Sequence, residues 1–239
     1  MTLLLGIDDA GRGPLIGPMI LAGVLVNTDQ DKLLKRHNVR DSKTVTHPDR
    51  IKLSKLIKEN SLNIKTQSLT PEEIDNGINT GTNLNTLEAQ KMANIINEIN
   101  KGKFTKETIK IIVDCPSVNI PAWTNTLMKY IQVKNNISVV CEHKADANHT
   151  SVSAASIIAK VEREENVEKI KEEYKKYGNI GSGYPADPFT KEFLKKNGEE
   201  LKDSGIFRKT WSTWKTMFPE KSQKTLNSFC NRKVFKLTI

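Results

Sequence analysis

The apolar positions of the first 26 residues fall into two short runs separated by a segment rich in glycine and proline. Leu3–Ile7 and Met19–Val26 each have the length of one buried strand. Residues 11–18 (Gly-Arg-Gly-Pro-Leu-Ile-Gly-Pro) contain too many helix breakers to form a helix. Three later segments also predict strands: the alternating residues Leu62, Ile64 and Thr66, and the runs Thr108–Val113 and Ile137–Cys141.

Apolar residues at helical spacing lie between and after these strands. One helix begins near Thr46-His-Pro-Asp49, and Thr70-Pro-Glu-Glu73 is a capping box that opens another. Further helices are predicted around Leu84 to Ile99, Pro121 to Val133, Ser151 to Tyr177, Phe189 to Lys196 and Trp211 to Met217, with Trp123 in the core. Strands near the start, helices between the later strands and a helical C-terminal part predict an α/β fold.

Composition narrows the class of protein. The 239 residues are 37% hydrophobic and 27% charged, which suits a folded chain rather than a disordered one. No apolar run approaches the ~20 residues of a membrane span, and the N-terminus lacks the basic residues of a signal peptide. Cys115, Cys141 and Cys230 lack the spacing of zinc ligands. Their small and odd number suggests a reducing cytoplasm, so we expect a cytoplasmic protein that does not contact membranes. We also expect a monomer.

The net charge points towards a polyanionic partner without identifying it. Lys and Arg number 37 against 28 Asp and Glu, which gives +9. A positive field attracts nucleic acid, although a lysine-rich surface on a soluble protein would give the same balance.

Acidic residues follow three of the predicted strands. Leu3–Ile7 leads to Asp8 and Asp9, Ile109–Val113 leads to Asp114, and the strand from Ile137 leads to Asp146. Ligands in open α/β sheets bind beyond the strand ends. Two carboxylates ~4 Å apart repel by about 4 kcal/mol at an effective dielectric of ~20, so a cation is expected between them. Oxygen ligands favour Mg²⁺ or Mn²⁺ over zinc, and two such ions can hydrolyse a phosphodiester. A lone aspartate at a strand end is more often a turn former.

The glycine-rich segment fits neither of two common nucleotide-binding motifs. Gly11-x-Gly13-x-x-x-Gly17 is one residue longer than the dinucleotide fingerprint, and Pro14 and Pro18 lie where its helix would begin. A Walker A loop is excluded because no Gly-Lys-Ser/Thr closes the segment.

The same segment closely resembles the opening motif of type 2 ribonuclease H (ribonuclease HII). This chain has Gly6-Ile-Asp-Asp-Ala-Gly-Arg-Gly-Pro14, where that family has Gly-Ile-Asp-Glu-Ala-Gly-Arg-Gly-Pro. Further matches follow in order up to residue 188: Asp41-Ser-Lys43, Val113-Asp-Cys115, Glu142-His-Lys-Ala-Asp146, residues 153–160 and residues 181–188. Their sequences are most similar to those of archaeal members.

The resemblance implies a ribonuclease H-like mixed sheet flanked by helices, with a small helical C-terminal part. It also implies divalent-metal-dependent hydrolysis of the RNA strand of RNA/DNA hybrids. Such enzymes also cut 5′ to single ribonucleotides in duplex DNA and leave 3′-hydroxyl and 5′-phosphate ends, which suits primer removal and ribonucleotide excision. By motif, the catalytic metal ligands are Asp8, Asp9, Asp114 and Asp146, and the ions are Mn²⁺ or Mg²⁺.

Asp9 is a departure from the family pattern, which has Glu at this position. The shorter side chain keeps the charge but draws its oxygens back, and metal ligands tolerate little displacement. We expect retained activity with weaker metal binding or a shifted metal preference. The alternative is that Asp9 is not itself a ligand.

Five other residues are predicted to contact the substrate. Gly11 and Gly13 lack side chains, so the backbone beside Arg12 can approach a nucleotide and its 2′-hydroxyl closely. Arg12 and Lys43 are predicted phosphate contacts. The family has its ribonucleotide-sensing tyrosine in the motif that contains Tyr184, whose ring can stack on a base or sugar.

The last residues resemble a peptide that binds sliding clamps. Gln223, Leu226 and Phe229 fit the pattern Gln-x-x-aliphatic-x-x-aromatic-aromatic, but Cys230 replaces the second aromatic residue. Leu226 and Phe229 would dock as an apolar plug into a groove.

We therefore predict three parts: a catalytic domain at residues 1–177, a helical part at 178–218 that helps to bind substrate, and a basic tail at 219–239. Two alternatives to a ribonuclease H stay open at this point. One is another nuclease or transposase-like protein of the same fold that lacks the ribose-sensing loop. The other is a non-catalytic nucleic-acid-binding protein whose active site has decayed.

Overall fold

A five-stranded mixed sheet forms the centre of the structure, a computed structural model that describes residues 2–40 and 45–219. Its strands are β1 (Thr2–Ala10), β2 (Met19–Val26), β3 (Asn63–Leu69), β4 (Thr108–Asp114) and β5 (Ile137–Glu142). Their order is β3-β2-β1-β4-β5. The first three strands form an antiparallel meander, whereas β4 runs parallel to β1 and β5 runs parallel to β4. The parallel half therefore has its carboxyl ends at one edge.

Helices cover both faces of the sheet and build the C-terminal part. They are α1 (Thr28–Arg36), α2 (His47–Glu59), α3 (Pro71–Asn79), α4 (Leu84–Ile99), α5 (Ile120–Tyr130), α6 (Ala145–Asn148), α7 (Thr150–Glu173), α8 (Pro188–Asn197) and α9 (Ser212–Met217). Short 3₁₀ turns lie at Gly102–Lys106 and Lys175–Tyr177. None of the helices in the described ranges is long and apolar enough to cross a membrane.

The two faces of the sheet have separate apolar cores because side chains alternate along a strand. Leu3, Leu5 and Ile7 of β1 pack with α4 and α5 in one core. The neighbouring β1 positions face the other way, and there Ala10 packs with the first half of α7. Successive β1 residues therefore belong to different surroundings, which decides where the acidic residues at the end of this strand can point.

Helix α7 lies against β1 with no room for a side chain between them. A Cβ atom on Gly6 would come within 2.1 Å of the backbone carbon of Ser151, at the start of α7. Glycine at this position thus permits the close approach of the helix N-terminus to the strand.

The C-terminal part packs on the glycine-rich segment through a third apolar cluster. Leu15 and Ile16 join residues such as Phe193, Phe207 and Trp214 in this cluster. Ile16 also forms an isolated antiparallel bridge with Phe207. The segment between β1 and β2 is therefore held by residues almost two hundred positions later in the chain.

The predicted α/β class, the mixed sheet and its flanking helices are confirmed. Trp123 is buried, as predicted. Three elements differ from the sequence prediction, and one of them is the four-residue helix α6, which was not predicted. Strand β1 extends to Ala10, so Asp8 and Asp9 lie within the strand rather than after it, because β2 continues to pair with it there. Helix α1 was missed because only Leu34 of its residues is buried, although Asn27 and Gln30 form a capping box at its start.

Candidate active site

Three carboxylates meet at the carboxyl edge of the parallel strands. They are Asp8 of β1, Asp114 at the end of β4 and Asp146 in α6. One oxygen from each lies within 4.8 Å of the other two. Asp8 is 5% exposed and Asp146 2% exposed, so the cluster is largely screened from water.

Strand register explains why Asp8 and Asp114 meet. Ile7 pairs with Val113 in the parallel ladder, and both pack in the core beside α4. The next residue in each strand therefore points to the opposite face, towards α7. Both carboxylates consequently reach the same side of the sheet, where Ser156 of α7 donates a hydrogen bond to Asp8.

A tight turn after β5 places the third carboxylate. Lys144 adopts a left-handed conformation with φ of 57°, which reverses the chain between the strand and α6. The Ala145 N–H donates to Asp114 Oδ1 at 3.2 Å, which ties this turn to the β4 acid. Glu142 and His149, on either side of α6, are joined by a 2.8 Å contact between Oε1 and Nε2. These contacts fix Asp146 relative to Asp114.

The charge of the cluster fits a divalent cation. Burial raises the pKa of Asp8 well above its ordinary value, and the neighbouring charges of Asp9 and Asp114 raise it further. The hydrogen bond from the Asp9 N–H to Asp8 Oδ1, at 2.7 Å, acts in the opposite direction. A cation between the three oxygens would offset the repulsion, and an all-carboxylate donor set suits Mg²⁺ or Mn²⁺.

Asp9 is outside this group of three. Asp9 is separated from Leu5 and Ile7 by an even number of residues along β1, so its Cβ lies on the same face of the sheet, the face that packs on α4. Burial raises the pKa of Asp9 to about 7, helped by the charge of Glu88 in α4 and opposed by Arg12. The predicted role of Asp9 as a metal ligand stays a prediction.

The loop of residues 11–13 is held by side chains of the C-terminal part. Arg208, which is fully buried, donates to the carbonyl oxygens of Gly11 at 2.7 Å and Arg12 at 2.9 Å, and also to that of Gly17. Trp211 Nε1 donates to the carbonyl of Gly13 at 3.1 Å. Because a planar trans peptide directs its N–H opposite to its C=O, the N–H groups of Arg12 and Gly13 point away from Arg208.

The side chain of Arg12 is turned towards α4. Its guanidinium forms an ion pair with Glu88, and its Nη2 donates to Asn85 Oδ1 at 2.8 Å. The phosphate contact of this arginine stays a prediction, and the structure gives its side chain two protein partners.

A cleft of about 710 Å³ opens beside the loop and α7. Arg12 and Gly13 line it together with Asp9, Lys160, Arg163 and Tyr184. Tyr184 is 43% exposed, and the Arg163 guanidinium lies over its ring at 5.3 Å. Arg163 is itself buried, with no hydrogen-bond partner for Nε or Nη2 among the described residues. The cleft thus combines positive charge, an aromatic ring and exposed backbone.

Four of the predicted residues lie outside the described residues: Lys43, Gln223, Leu226 and Phe229. The structure brings the others together at one edge of the sheet and its adjoining cleft. Glu88, Arg163 and Arg208 were not identified from sequence. Charged residues in helices and loops are usually exposed to solvent, so the sequence pattern does not indicate that these three are buried.

Solved structures share this architecture. The ribonuclease H2 of Pyrococcus horikoshii is 36% identical, with a TM-score of 0.77, over 90% of this chain and 96% of that one. Ribonuclease HII of Archaeoglobus fulgidus, solved in complex with PCNA, is 32% identical with a TM-score of 0.74, over 95% and 100% of the two chains. With the acidic cluster at the end of the parallel strands, this likeness defines a nuclease of the ribonuclease H-like fold.

The family follows from the sequence comparison. The model of the ribonuclease HII family matches residues 5–214, and ribonuclease HII of Methanococcus maripaludis strain C6 is 40% identical over 220 residues, 91% of this chain and 88% of the relative. The chain belongs to the ribonuclease HII family and is a ribonuclease H. This result favours the predicted enzyme over the transposase-like and decayed-site alternatives.

Proposed function

We propose that the protein is a divalent-metal-dependent endonuclease that hydrolyses the RNA strand of RNA/DNA hybrids. It also cuts 5′ to single ribonucleotides in duplex DNA and leaves 3′-hydroxyl and 5′-phosphate ends. The observation that supports this proposal is the acidic cluster of Asp8, Asp114 and Asp146 beside a cleft lined by the glycine-rich loop. An acid cluster alone serves many phosphodiesterases, whereas the adjoining loop offers a way to recognise ribose.

Asp8, Asp9, Asp114 and Asp146 would hold two divalent ions. Bound Mg²⁺ or Mn²⁺ would supply an activated water and charge stabilisation for the leaving oxygen. The protein's own contribution is to hold the carboxylates in place, through the strand register and the turn at Lys144.

Ribose recognition rests on the loop and on Tyr184. The N–H groups of Arg12 and Gly13, which point away from Arg208, would donate to the 2′-hydroxyl, the group that distinguishes RNA from DNA. A Cβ atom on Gly13 would lie 3.5 Å from the Tyr184 ring, so a larger side chain there would narrow the space between loop and ring. Tyr184 would stack on the sugar or base. Positive charge for the phosphate backbone of the nucleic acid would come from Arg163, Lys160 and Lys43.

The test is cleavage of a labelled DNA duplex that contains one ribonucleotide, in Mg²⁺ or Mn²⁺. We expect a single cut 5′ to the ribonucleotide, no cut in the all-DNA duplex, and loss of cleavage in Asp114→Asn. Binding of the duplex without a cut in either metal would contradict the proposal, and cleavage of all-DNA duplex would indicate a different nuclease.

We further propose that the tail at 219–239 binds a sliding clamp through Gln223, Leu226 and Phe229. The family member from Archaeoglobus fulgidus was solved with PCNA, which supports such a partner. Binding of the full chain to a sliding clamp should be lost in the double variant Leu226→Ala/Phe229→Ala while cleavage of free duplex is retained. Equal binding of the clamp by wild type and the double variant would show that the tail is not the clamp-binding segment. Such a partner suits a cytoplasmic monomer that acts in primer removal and ribonucleotide excision.

A further inference from the structure

The side chain of Arg12 lines the cleft, but its guanidinium is held by protein partners on α4. Its guanidinium contacts Glu88 and Asn85, which lie three residues apart on α4. The Glu88 side chain is completely buried, and its Oε1 has no hydrogen-bond partner among the described residues. A buried carboxylate is therefore held under the loop mainly by this one arginine.

A pair of this kind contributes little net stability. The Glu88 carboxylate is removed from water while Arg12 stays 37% exposed, so the cost of burying the carboxylate offsets much of the attraction between the two groups. Buried pairs are better attested as devices that fix one arrangement of the chain. The arrangement fixed here is that of residues 11–13.

The loop needs such anchors because two of its three residues are glycines, which restrict the backbone little. Gly11 has φ of +90°, in the left-handed region. Arg208 and Trp211 hold the loop carbonyls from the C-terminal side. The pair of Arg12 with Glu88 is the anchor from the α4 side, so the loop is held between the two parts of the molecule.

We propose that Glu88, assisted by Asn85, is a positioning residue that holds Arg12 as a loop anchor, and that this anchor sets the discrimination between ribose and deoxyribose. Arg12 then acts through its backbone on the substrate and through its side chain on the protein. This inference rests on the proposed function of the same loop.

The phosphate contact predicted from sequence differs from this role in a measurable way. A phosphate contact contributes the same binding free energy to every duplex. It also contributes to the salt dependence of binding, and the slope of log affinity against log salt concentration falls by about one unit when the contact is removed. A loop anchor affects the ribonucleotide-containing duplex selectively. Glu88→Gln is the most informative variant because it removes no positive charge.

The experiment measures binding of two duplexes of one sequence, with and without a single ribonucleotide, over a range of salt concentrations. Ca²⁺ replaces Mg²⁺, and a gel checks that no strand is cut. The proteins are wild type, Glu88→Gln, Arg12→Gln and the double variant. Glu98→Gln is the matched control, since Glu98 lies on the same helix with an exposed partner, Lys101.

We expect Glu88→Gln to lower the preference for the ribonucleotide-containing duplex by about tenfold or more, because small displacements of a positioned group have large effects. The salt slope stays unchanged, Arg12→Gln gives a similar loss, and the double variant is no worse than either single one. Glu98→Gln behaves as wild type. Asn85→Ala, which keeps the buried pair, gives a smaller loss in the same direction, and thermal denaturation verifies that each variant is folded.

The inference is overturned if Glu88→Gln and Asn85→Ala keep the wild-type preference while Arg12→Gln weakens both duplexes equally and flattens the salt dependence. Failure of the proposed function is recognised from the wild-type protein alone, which would then neither prefer nor cut the ribonucleotide-containing duplex. With no discrimination between the duplexes, the inference about Glu88 would be wrong as well.

Discussion

Asp8 and Asp9 are neighbours in sequence but lie in different surroundings. Side chains alternate between the two faces of β1, so Asp8 joins the cluster with Asp114 and Asp146. Asp9 lies near Glu88 and Arg12 instead. The two side chains therefore have different neighbours, although the charge of Asp9 still raises the pKa of Asp8. A glutamate at position 9 would have one more methylene with which to reach around the strand to the cluster.

We expect Asp9→Glu to bind the catalytic ion more tightly, because the longer side chain brings its oxygens closer to the other three acids. The Mn²⁺ or Mg²⁺ concentration at half-maximal cleavage should fall a few-fold, equivalent to about 0.5–1 kcal/mol. Calorimetric titration with Mn²⁺ checks the affinity without turnover. A loss of activity would instead show that the site has adapted to aspartate.

The ring of Tyr184 has an exposed face and a charged neighbour, Arg163. If it stacks on substrate, Tyr184→Ala should lower kcat/KM on the single-ribonucleotide duplex by about 10- to 100-fold, since one stacked base is worth about 1–3 kcal/mol. Tyr184→Phe retains the ring and should retain most of the activity. Equal losses in the two variants would assign the effect to the hydroxyl group instead.

The strands and most of the helices were predictable because burial leaves a periodic pattern of apolar residues. The positions of the acids were predictable too, since parallel strands bring their carboxyl ends to one edge. The face on which each acid lies was not assigned, because the sequence does not indicate where β1 ends. The extension of β1 through Asp8 and Asp9 depends on pairing with β2, which is a tertiary contact.

The buried charges are the larger failure of prediction. Glu88 lies on a helix of mixed polarity, and Arg208 lies in a loop, so neither position is marked as internal by its neighbours. Their burial depends on each finding partners distant in sequence, at Arg12 and at the carbonyls of Gly11 and Gly17. Such pairings become visible only in the folded chain.

The close contact of α7 with β1 makes a definite prediction. Gly6→Ala should destabilise the protein by about 2–3 kcal/mol, because the added methyl group meets the backbone of Ser151, which cannot move without displacing α7. The loss is measured by denaturant unfolding. In the control Gly77→Ala, on α3, the methyl group meets only the side chain of Leu87, whose Cδ atoms lie at its flexible end and can shift. An equal loss in both variants would contradict this account.

Arg208 links the C-terminal part of the molecule to the loop at the candidate active site. Burial and the nearby charge of Arg163 together lower the pKa of its guanidinium to about 10, so the group stays charged at neutral pH. Its donors reach the carbonyls of Gly11, Arg12 and Gly17 at once. The planar fork of arginine suits such a set, whereas a lysine ammonium does not.

Arg208→Lys should therefore destabilise the protein by about 1–3 kcal/mol, the cost of leaving buried carbonyls without donors. It should also lower cleavage of the single-ribonucleotide duplex more than the stability loss explains. Activity measured well below the melting temperature separates the two effects. Lys209→Arg, at the neighbouring half-exposed position, is the control and should match wild type in both measurements.

The bonds made by Arg208 join positions 191 to 197 residues apart along the chain. Synthesis proceeds from the N-terminus, so Asp8, Asp114 and Asp146 have all left the ribosome before residue 208 is added. The emerging polypeptide can bring its acids together while the loop that faces the ribose still lacks its partners. We expect selectivity for ribonucleotides to arise only after residue 208 has emerged, and therefore later than the acidic cluster.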